Sequence, residues 1–311
     1  MRVLIVASAK RDSFAPFIIE QVDSLRILGV EIDYFGVIGK GIIGYLKCLP
    51  SLKHKIQNYN PDIIHAHYGL SGLLANLQRK VKVVTTYHGS DIHSGGWLLA
   101  LSRVTMRLSA YNIFVSEYLY NLSCYKSKHY IIQACGLDLD TIKPHNFQEA
   151  RDYFGWDKEE KIVLFSGSFS NGIKNSTLAQ KAIEIVDTKV QLIELKGYSR
   201  QEVSLLMSGC NCLLLTSFRE ASPTVIKEAM ACNRPIVSTD VGDVNYVIGN
   251  TEGCYICDLE ANDCAEKINM ALTFSAKHQN TNGRERLVSL GLDSKIVAKT
   301  IYNIYQKIIE I

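Results

Sequence analysis

Two glutamates bracket the start of a predicted helix in the stretch SFREASPTVIKEAMA. Glu220 lies just before this helix and Glu228 lies on its second turn. Ser222 and Pro223 predict the start itself, because serine is a common N-cap and proline loses nothing at the first helical position, where an N–H would have no partner. A helix start attracts anions through its open N–H groups and its dipole. The chemical question is which anion would bind between two acids.

A second candidate is the loop in LFSGSFSNGIKN, which follows an apolar run. Gly167 and Gly172 would let the backbone come close to a ligand, and Lys174 would supply a positive charge. The loop matches neither the dinucleotide fingerprint G-x-G-x-x-G nor the phosphate-binding P-loop. By itself it is compatible with a phosphate site, but it is more typical of an ordinary glycine turn with a solvated lysine.

Histidines form a third candidate. In TTYHGSDI, His88, Gly89 and Asp91 end a very apolar run, and a polar cluster at a strand end favours a functional site. His65 and His67 alternate on the preceding predicted strand. They are interpreted either as hydrogen-bonded core histidines or as a metal spacing for which no third ligand suggests itself nearby.

Other metal spacings are present but weak. The nine cysteines include a C-x-C at 210–212 and a C-x-x-C at 254–257, both inside apolar runs, so they are predicted to pack in the core as free thiols. Asp138 and Asp140 form a D-x-D that is typical of turn and cap chemistry. No metal site is expected.

Composition and charge indicate an ordinary globular protein. Of the 311 residues, 47% are hydrophobic and 21% are charged, and the net charge of +3 gives no reason to expect nucleic-acid binding. Residues 1–150 carry 16 basic against 11 acidic residues (+5), and the remainder carries 18 against 20 (−2). No apolar stretch approaches the roughly 18 residues of a membrane span, and the N-terminus shows no signal peptide. A cytoplasmic protein is therefore expected.

Apolar runs and helix-length segments alternate along the whole chain. Such runs predict parallel strands buried on both faces, and two series of them predict two doubly wound α/β domains. Ligands of such domains bind at the carboxyl ends of the strands. We predict a first domain at 1–150, a second at 151–294 and a C-terminal amphipathic helix at 295–311. SAKHQNTNGRER is predicted to be a mobile surface loop. The runs are RVLIVA, VEIDYFG, DIIHAHY, VKVVTTYHG, YNIFVS and YIIQA, then KIVLFSGS, VQLIELKG, CNCLLLTS, RPIVSTD and GCYICD.

The stretch SFREASPTVIKEAMACNRPIVSTDVG resembles the donor-binding signature of retaining GT-B-type glycosyltransferases, in the family 4-like group (glycosyl transferases group 1). HAHYGLSG, YHGSD, CGLDLDTIKP and FSGSFSNGIKN agree in order. The usual glycine-rich loop after the first strand is replaced by SAKRDSFAP. The resemblance implies a GT-B fold, with two Rossmann-like domains facing across a cleft and the helix at 295–311 packed back on the first domain.

The resemblance also implies an answer for the two acids: the anion is the diphosphate of a nucleotide sugar, and each acid binds a sugar on one side of it. Glu220 would accept hydrogen bonds from the transferred sugar and Glu228 from the ribose. Lys174 would stabilise the leaving diphosphate, and His88 would approach the sugar from the first domain. The implied catalytic residues are His88, Lys174 and Glu220, and the implied donor-binding residues are Ser168, Gly197, Tyr198, Ala221, Ser222, Thr224, Val225 and Glu228.

One residue departs from the family pattern. Family members usually carry an arginine where this chain has Ser168, and a charge-assisted hydrogen bond contributes about 1.5–3 kcal/mol. Arg200 or Arg219 could compensate. No cofactor and no divalent metal are implied, so the positive charge must come from the protein.

The implied activity is retaining transfer of a hexose-type sugar from a nucleotide-diphosphate sugar to a glycan or lipid-linked saccharide. Two alternatives stay open: a catalytically impaired nucleotide-binding scaffold, and a nucleotide-sugar hydrolase or epimerase of the same fold. Arg103 and Arg107, four apart on a predicted helix, could contact anionic lipid on the inner membrane face. They are more typical of exposed arginines on a helix packed against the sheet.

Overall fold

A computed structural model describes residues 1–9, 14–39, 41–126 and 128–310. The chain divides into two compact units, one comprising Met1–Gly136 with Ser294–Ile311 and the other Leu137–Asp293. The strands are β1 (Arg2–Ser8), β2 (Glu31–Val37), β3 (Ile63–His67), β4 (Lys82–Tyr87), β5 (Tyr111–Phe114), β6 (Tyr130–Ile132), β7 (Lys161–Phe165), β8 (Val190–Glu194), β9 (Cys212–Leu215), β10 (Ile236–Thr239) and β11 (Cys254–Cys257). The helices are α1 (Pro16–Ile27), α2 (Gly41–Lys47), α3 (Leu49–Tyr59), α4 (Gly69–Asn76), α5 (Ser90–His93), α6 (Gly96–Leu108), α7 (Glu117–Ser123), α8 (Phe147–Phe154), α9 (Ser176–Ile185), α10 (Arg200–Gly209), α11 (Thr224–Ala231), α12 (Val244–Ile248), α13 (Ala261–His278), α14 (Gly283–Ser289) and α15 (Ser294–Glu310).

The sheet of the first unit is parallel, and its described strands lie in the order β2-β1-β3-β4-β5-β6. Strands β3 and β4 pair with His67 opposite Thr86. This is the order of a doubly wound sheet. Its strands are added on one side of β1 and then, from β3 onwards, on the other side, so the switch point lies between β1 and β3. The loops that follow β3 and β4 therefore emerge side by side at the carboxyl edge.

The sheet of the second unit repeats this order. Its described strands lie as β11-β10-β9-β7-β8, again all parallel, so that β7 takes the place of β1 and β9 that of β3. The switch point therefore falls between β7 and β9, and the loops after these two strands are neighbours. The predicted fold class, two Rossmann-like α/β halves, is confirmed, and each apolar run predicted as a strand contains one.

The last helix, α15, belongs to the first unit. Its buried residues Val297, Ile301 and Tyr305 pack in one core cluster with residues of β1 and α1, including Ile5 and Val22. These apolar residues recur at helical spacing, so one face of α15 covers the sheet. The chain thus leaves the first unit after Gly136 and returns to it at Ser294.

The boundary predicted at residue 150 is wrong, because the second unit already begins at Leu137. Arg151 on α8 is fully buried and donates to the carbonyl oxygens of Gly209 (3.0 Å), Asp157 (2.6 Å) and Glu160 (3.0 Å). The polar composition of this segment suggested a linker. Its charged residue is instead a buried donor that holds α8 against the end of α10 and the turn before β7.

The loop predicted in SAKHQNTNGRER is also wrong, because α13 runs to His278 and α14 begins at Gly283. The short connection between them is fixed in place. Thr281 is buried and donates its N–H to Asn233 O (2.9 Å), and Asn280 Oδ1 accepts from the buried Arg234 (2.6 Å).

The cysteines are free thiols, as predicted. Cys210 and Cys212 are fully buried, and burial raises the pKa of the Cys210 thiol to about 12. A thiol with so high a pKa stays protonated and packs as a small apolar side chain. Within the described ranges, no helix is long and apolar enough to span a bilayer.

We expect Arg151→Met to destabilise the second unit by about 3 kcal/mol, because the variant strips a charged donor from several buried carbonyl oxygens. Thermal unfolding should show this as a fall in Tm of about 6–12 °C. Lys181→Met, at an exposed position of α9, is the control and should change stability by less than about 0.5 kcal/mol. Equal Tm values for the two variants would show that Arg151 does not anchor α8.

Candidate functional site

The second unit brings Lys174 and Glu220 together at its switch point. Lys174 Nζ lies 2.7 Å from Glu220 Oε1, and Ser217 Oγ donates to the same oxygen at 2.8 Å. Lys174 follows β7 and Glu220 follows β9, so the ion pair joins two neighbouring loops. Both side chains keep nearly a fifth of their surface exposed, which leaves the pair accessible to a ligand.

Hydrogen bonds to backbone carbonyl oxygens hold these two loops together. Thr216 Oγ1 donates to the carbonyl oxygens of Lys174 and Asn175, both at 3.0 Å, and Phe218 N donates to Ile173 O at 3.0 Å. The position of the Lys174 ammonium group therefore depends on β9 as much as on its own loop.

Gly167 is in van der Waals reach of the Lys174 side chain. A Cβ added at Gly167 would lie 3.3 Å from Lys174 Cε, so a glycine here lets the lysine lie flat along the backbone. The next residue, Ser168, forms a hydrogen bond with Ser170 Oγ at 2.9 Å. It stabilises the turn and adds no charge to the position.

Glu228 is paired with Arg200. Its carboxylate accepts from Arg200 Nη1, and the glutamate side chain is 9% exposed. Arg200 is the first residue of α10, which Ser199 and Glu202 cap reciprocally. Gly197 precedes this cap with a φ of +84°, a left-handed conformation that favours glycine. The loop after β8 thus delivers a cation to the second turn of α11.

Helix α11 begins at Thr224, so the predicted Ser222 cap is wrong. Pro223 occupies the cap position, and in the described part of the chain no side chain caps this helix start. Ala221 and Val225 on either side are largely buried. An uncapped α-helix leaves N–H groups of its first turn without intrahelical partners, and these remain to bind an anion.

A close backbone approach fixes the segment in front of α11. Gly242 has a φ of +63°, and a Cβ there would lie 2.7 Å from Ala221 O and 3.0 Å from Glu220 O. Next to it, burial raises the pKa of Asp243, and the positive charge of the buried Lys227 opposes the rise. Any larger residue at 242 would displace the backbone that carries Glu220.

In the first unit, three histidines and a tyrosine form a column that we call the imidazole column: Tyr305, His65, His67 and His88. His65 Nδ1 lies 2.5 Å from Tyr305 Oη, and His65 Nε2 lies 2.7 Å from Thr86 Oγ1. The rings of His65 and His67 stack at 4.6 Å, and those of His67 and His88 at 5.2 Å. His67 Nδ1 lies 2.9 Å from His88 Nε2.

Burial keeps the inner rings of this column neutral. It lowers the pKa of His67 to about 3, and it also lowers the pKa of His65 well below its usual value, with further lowering by the neighbouring charges of His67 and His88. Of the two interpretations of HAHYG, hydrogen-bonded core histidines are confirmed.

Asp91 joins the turns after β3 and β4. Its carboxylate accepts from the backbone N–H groups of Gly69 (3.1 Å) and Gly89 (2.9 Å). Burial raises the pKa of Asp91 to about 6, although these N–H groups favour the charged form. Asp91 therefore fixes the turn that carries His88.

A cavity of about 770 Å³ lies beside this turn within the first unit. It combines aromatic rings, serine hydroxyls and one carboxylate, a mixture that suits a ligand with both hydroxyl groups and apolar faces. Its lining includes Phe14, Tyr45, Tyr68, Leu98, Ser90, Ser94, Ser102 and Asp91.

The structure places the residues implied by the resemblance in two sets. His88 lies in the first unit, at the carboxyl end of β4. The other set lies on loops that follow three strands of the second unit, and on the start of α11: Ser168, Lys174, Gly197, Tyr198, Glu220, Ala221, Ser222, Thr224, Val225 and Glu228.

Sequence reasoning missed several supporting residues. Ser217 and Thr216 follow the apolar run CNCLLL directly, and two hydroxyls at a strand end are a signal that could have identified them. Tyr305 gave no such signal, because it is 240 residues away from its partner His65.

The other residues considered for metal or lipid binding make hydrogen bonds or ring contacts within the protein. Asp138 accepts from the N–H of Asp140 at 3.0 Å, which confirms its turn role. Arg103 donates to Ser123 O at 2.8 Å, and the Arg107 guanidinium lies 5.8 Å from the Tyr125 ring centre. In the ranges that the structure covers, no group of three or more His, Cys, Asp or Glu residues could hold a metal ion.

Two family models match successive parts of the chain. The model described as Glycosyltransferase Family 4 matches residues 2–129, and the model described as Glycosyl transferases group 1 matches residues 167–273. The second match includes Lys174, Glu220 and Glu228. The two matches fall in the first and second units, respectively.

Individual proteins agree with these matches. The chain is 26% identical over 275 residues to the N-acetyl-alpha-D-glucosaminyl L-malate synthase of Bacillus anthracis. The alignment covers 74% of this chain and 70% of that protein. A sucrose-phosphate synthase from Thermosynechococcus elongatus has a similar structure, with a TM-score of 0.83, 18% identity and 98% of each chain covered. Anabaena Alr3699/HepE in complex with UDP gives a TM-score of 0.80 at 14% identity, with 99% of this chain and 100% of that chain covered. At these identities the structures show the shared GT-B fold.

We expect the pH dependence of stability to report the buried His67. Its pKa is about 3 in the folded chain and 6.5 when unperturbed, so between pH 6.5 and 5 the unfolded chain binds a proton that the folded chain does not. The free energy of unfolding should therefore fall by about 1.5 kcal/mol over this range through His67 alone.

Urea denaturation of the wild type and of His67→Asn at pH 6.5 and pH 5 measures this contribution. The variant should lose less stability on acidification than the wild type does, because it lacks the titrating ring. Parallel losses in both proteins would mean that His67 is not buried as a neutral group.

Proposed function

The chain belongs to the family 4-like group 1 glycosyltransferases, and from this premise we propose that it transfers a hexose-type sugar, with retention, from a nucleotide-diphosphate sugar to a saccharide acceptor. The observation that carries the proposal is the pairing of each acid at the start of α11 with a cation from a different loop.

This pairing removes the conflict between two acids and an anion site. Lys174 neutralises Glu220, and Arg200 neutralises Glu228, so the uncapped start of α11 lies between two neutral pairs. A diphosphate could then bind the N–H groups near Ala221 and at the helix start without net repulsion.

Each pair would also be ready for substrate. When the diphosphate arrives, Lys174 can contact a phosphate oxygen while Glu220 turns its other lone pairs to hydroxyls of the transferred sugar. Glu228, held by Arg200, would accept hydrogen bonds from the ribose. Backbone groups near Gly197 and Tyr198 would lie against the base.

The proposed reaction does not depend on a general base from the protein. In same-face substitution the bond between the anomeric carbon and the leaving phosphate oxygen breaks, and the acceptor oxygen attacks from that side. The departing diphosphate takes the acceptor's proton, so catalysis rests on positioning and on stabilising the developing negative charge. Lys174 is the residue we assign to that charge, since Ser168 brings none.

Two similar proteins support parts of this proposal. The Anabaena structure contains UDP, which supports a nucleotide as the leaving group, and the Bacillus anthracis protein is named as a synthase of N-acetyl-alpha-D-glucosaminyl L-malate, which supports a sugar as the group that is moved. We propose that no divalent metal takes part.

For the acceptor we propose a glycan or lipid-linked saccharide. The cavity beside Asp91, with its aromatic rings and hydroxyls, suits a sugar ring, whose faces are apolar and whose edges are polar. Arg103 and Arg107, the residues considered for a membrane contact, both have partners within the first unit, which favours a packed helix.

A nucleotide-binding scaffold without turnover is the second candidate, favoured by the absence of a cation at Ser168. It predicts that nucleotide binds but that no sugar is transferred to any acceptor. A hydrolase or epimerase would instead release or convert the sugar without an acceptor.

We expect one nucleoside diphosphate among UDP, GDP, ADP and dTDP to raise the Tm. The Tm shift should be the same with and without EDTA. At a hundred times its Kd the ligand adds about 2.7 kcal/mol, which corresponds to a shift of about 5–11 °C. Glu228→Ala should abolish most of the shift and raise the KM for the donor, because it removes the acceptor for the ribose hydroxyls. A thermal-shift panel that includes NAD measures this.

Glu184→Ala is the matched control, since Glu184 is exposed on α9 and should leave the shift intact. A shift with NAD alone, or one that EDTA removes, would contradict the proposal.

Lys174→Met should lower kcat about a hundredfold, because its charge stabilises the departing diphosphate, and it should also reduce the nucleotide thermal shift, because Glu220 then lies beside the anion site without its cation. Initial rates at saturating donor measure this, with Lys181→Met as the control. Turnover equal to that of the wild type would remove Lys174 from the mechanism.

A further inference from the structure

The imidazole column ends in His88, which forms a hydrogen bond with His67. The contacts around the two rings indicate which of them donates the proton. The bond joins His67 Nδ1 to His88 Nε2 at 2.9 Å. A neutral imidazole carries one N–H, so one ring must donate and the other must accept. The choice determines which nitrogen of His88 carries the proton.

The second nitrogen of His67 favours one direction. In the part of the chain that the structure covers, His67 Nε2 is buried and has no hydrogen-bond partner. If His67 accepted from His88, its own proton would lie on Nε2, where a buried donor without an acceptor is costly. If His67 donates from Nδ1, only a lone pair is left unpaired at Nε2, which costs less.

The other members of the column do not compete for this bond. Tyr305 is buried, and its hydroxyl lies 2.5 Å from His65 Nδ1 while Thr86 Oγ1 lies 2.7 Å from His65 Nε2, so both ring nitrogens of His65 are occupied. His65 contacts His67 through ring stacking. The ring of His67 is held flat between its two neighbours, with Phe17 against His67 and His88 as a further wall.

We infer that His67 is a positioning residue: by donating from Nδ1, it fixes His88 as the tautomer with its proton on Nδ1 and its Nε2 occupied. His88 Nδ1 forms a hydrogen bond with Cys135 Sγ at 3.8 Å, so in this tautomer the ring donates to the sulfur, and a substrate oxygen that replaces the sulfur would meet a hydrogen-bond donor and not a proton acceptor. This inference rests on the proposed function for the substrate contact of His88, but the tautomer can be measured without any substrate.

The tautomer is tested by a long-range ¹H–¹⁵N spectrum of the full chain labelled at histidine, with His88 assigned from the spectrum of His88→Gln. In the wild type, His88 should show a protonated Nδ1 and an unprotonated Nε2. A proton on Nε2 would overturn the inference outright.

Three variants separate positioning from mere packing. His67→Leu removes the donor and should let His88 populate both tautomers. His67→Asn, whose side-chain amide can donate from nearly the same place, should restore the Nδ1 tautomer. Tyr305→Phe disturbs the same buried column without touching the bond to His88, and it should leave the tautomer unchanged.

Kinetics give the second readout. In an active preparation, His67→Leu should lower kcat about tenfold with little change in the KM for the donor, and His67→Asn should recover most of the loss. Tyr305→Phe should match the wild type in kcat even where its Tm falls as far as that of His67→Leu. If His67→Leu keeps the wild-type tautomer, or if kcat follows Tm across the three variants, the inference is wrong.

Absence of transfer with every donor would contradict the proposed function, while the spectra would still decide the tautomer. Conversely, normal transfer with a proton on Nε2 would overturn only the role of His67.

Discussion

Charge compensation between different loops is the constraint on which the site of the second unit depends. An anion site flanked by two carboxylates would repel its ligand, and two carboxylates near the protein surface would also repel each other. Lys174 and Arg200 remove both problems, each by reaching from its own loop to an acid near the start of α11. The helix start can then remain uncapped and open to an anion.

Strand order supplies the first of these two pairs. Because β7 and β9 are adjacent in the sheet, the lysine after one strand meets the glutamate after the other. The contact of Gly242 with the backbone of Ala221 then holds the glutamate loop from a third direction, after β10. The first unit uses the same order for a different purpose: β3 and β4 are adjacent, so their ends bring His67 to His88.

The sequence was sufficient for the strands, because buried parallel strands are apolar along their whole length, and for Glu220 and Glu228, because their spacing around a helix start is local. It was insufficient wherever a residue's partner lay on another element. The Ser222 cap failed because the contact with Gly242, more than local capping, fixes the backbone in front of α11. The boundary at 150 failed because composition does not reveal that Arg151 finds buried carbonyl oxygens. The partners of His65 and Glu228 depend on tertiary neighbours that no local pattern records.

The return of the chain to the first unit at α15 has a consequence for biosynthesis. Because Tyr305 and the apolar face of α15 complete the core around β1 and α1, one face of the first sheet stays partly uncovered until α15 has been synthesised. The contiguous second unit, Leu137–Asp293, has all its strands before α15 leaves the ribosome, and it can fold first. Folding of this chain would then reverse the usual N-terminal order, and the imidazole column would be among the last parts to form.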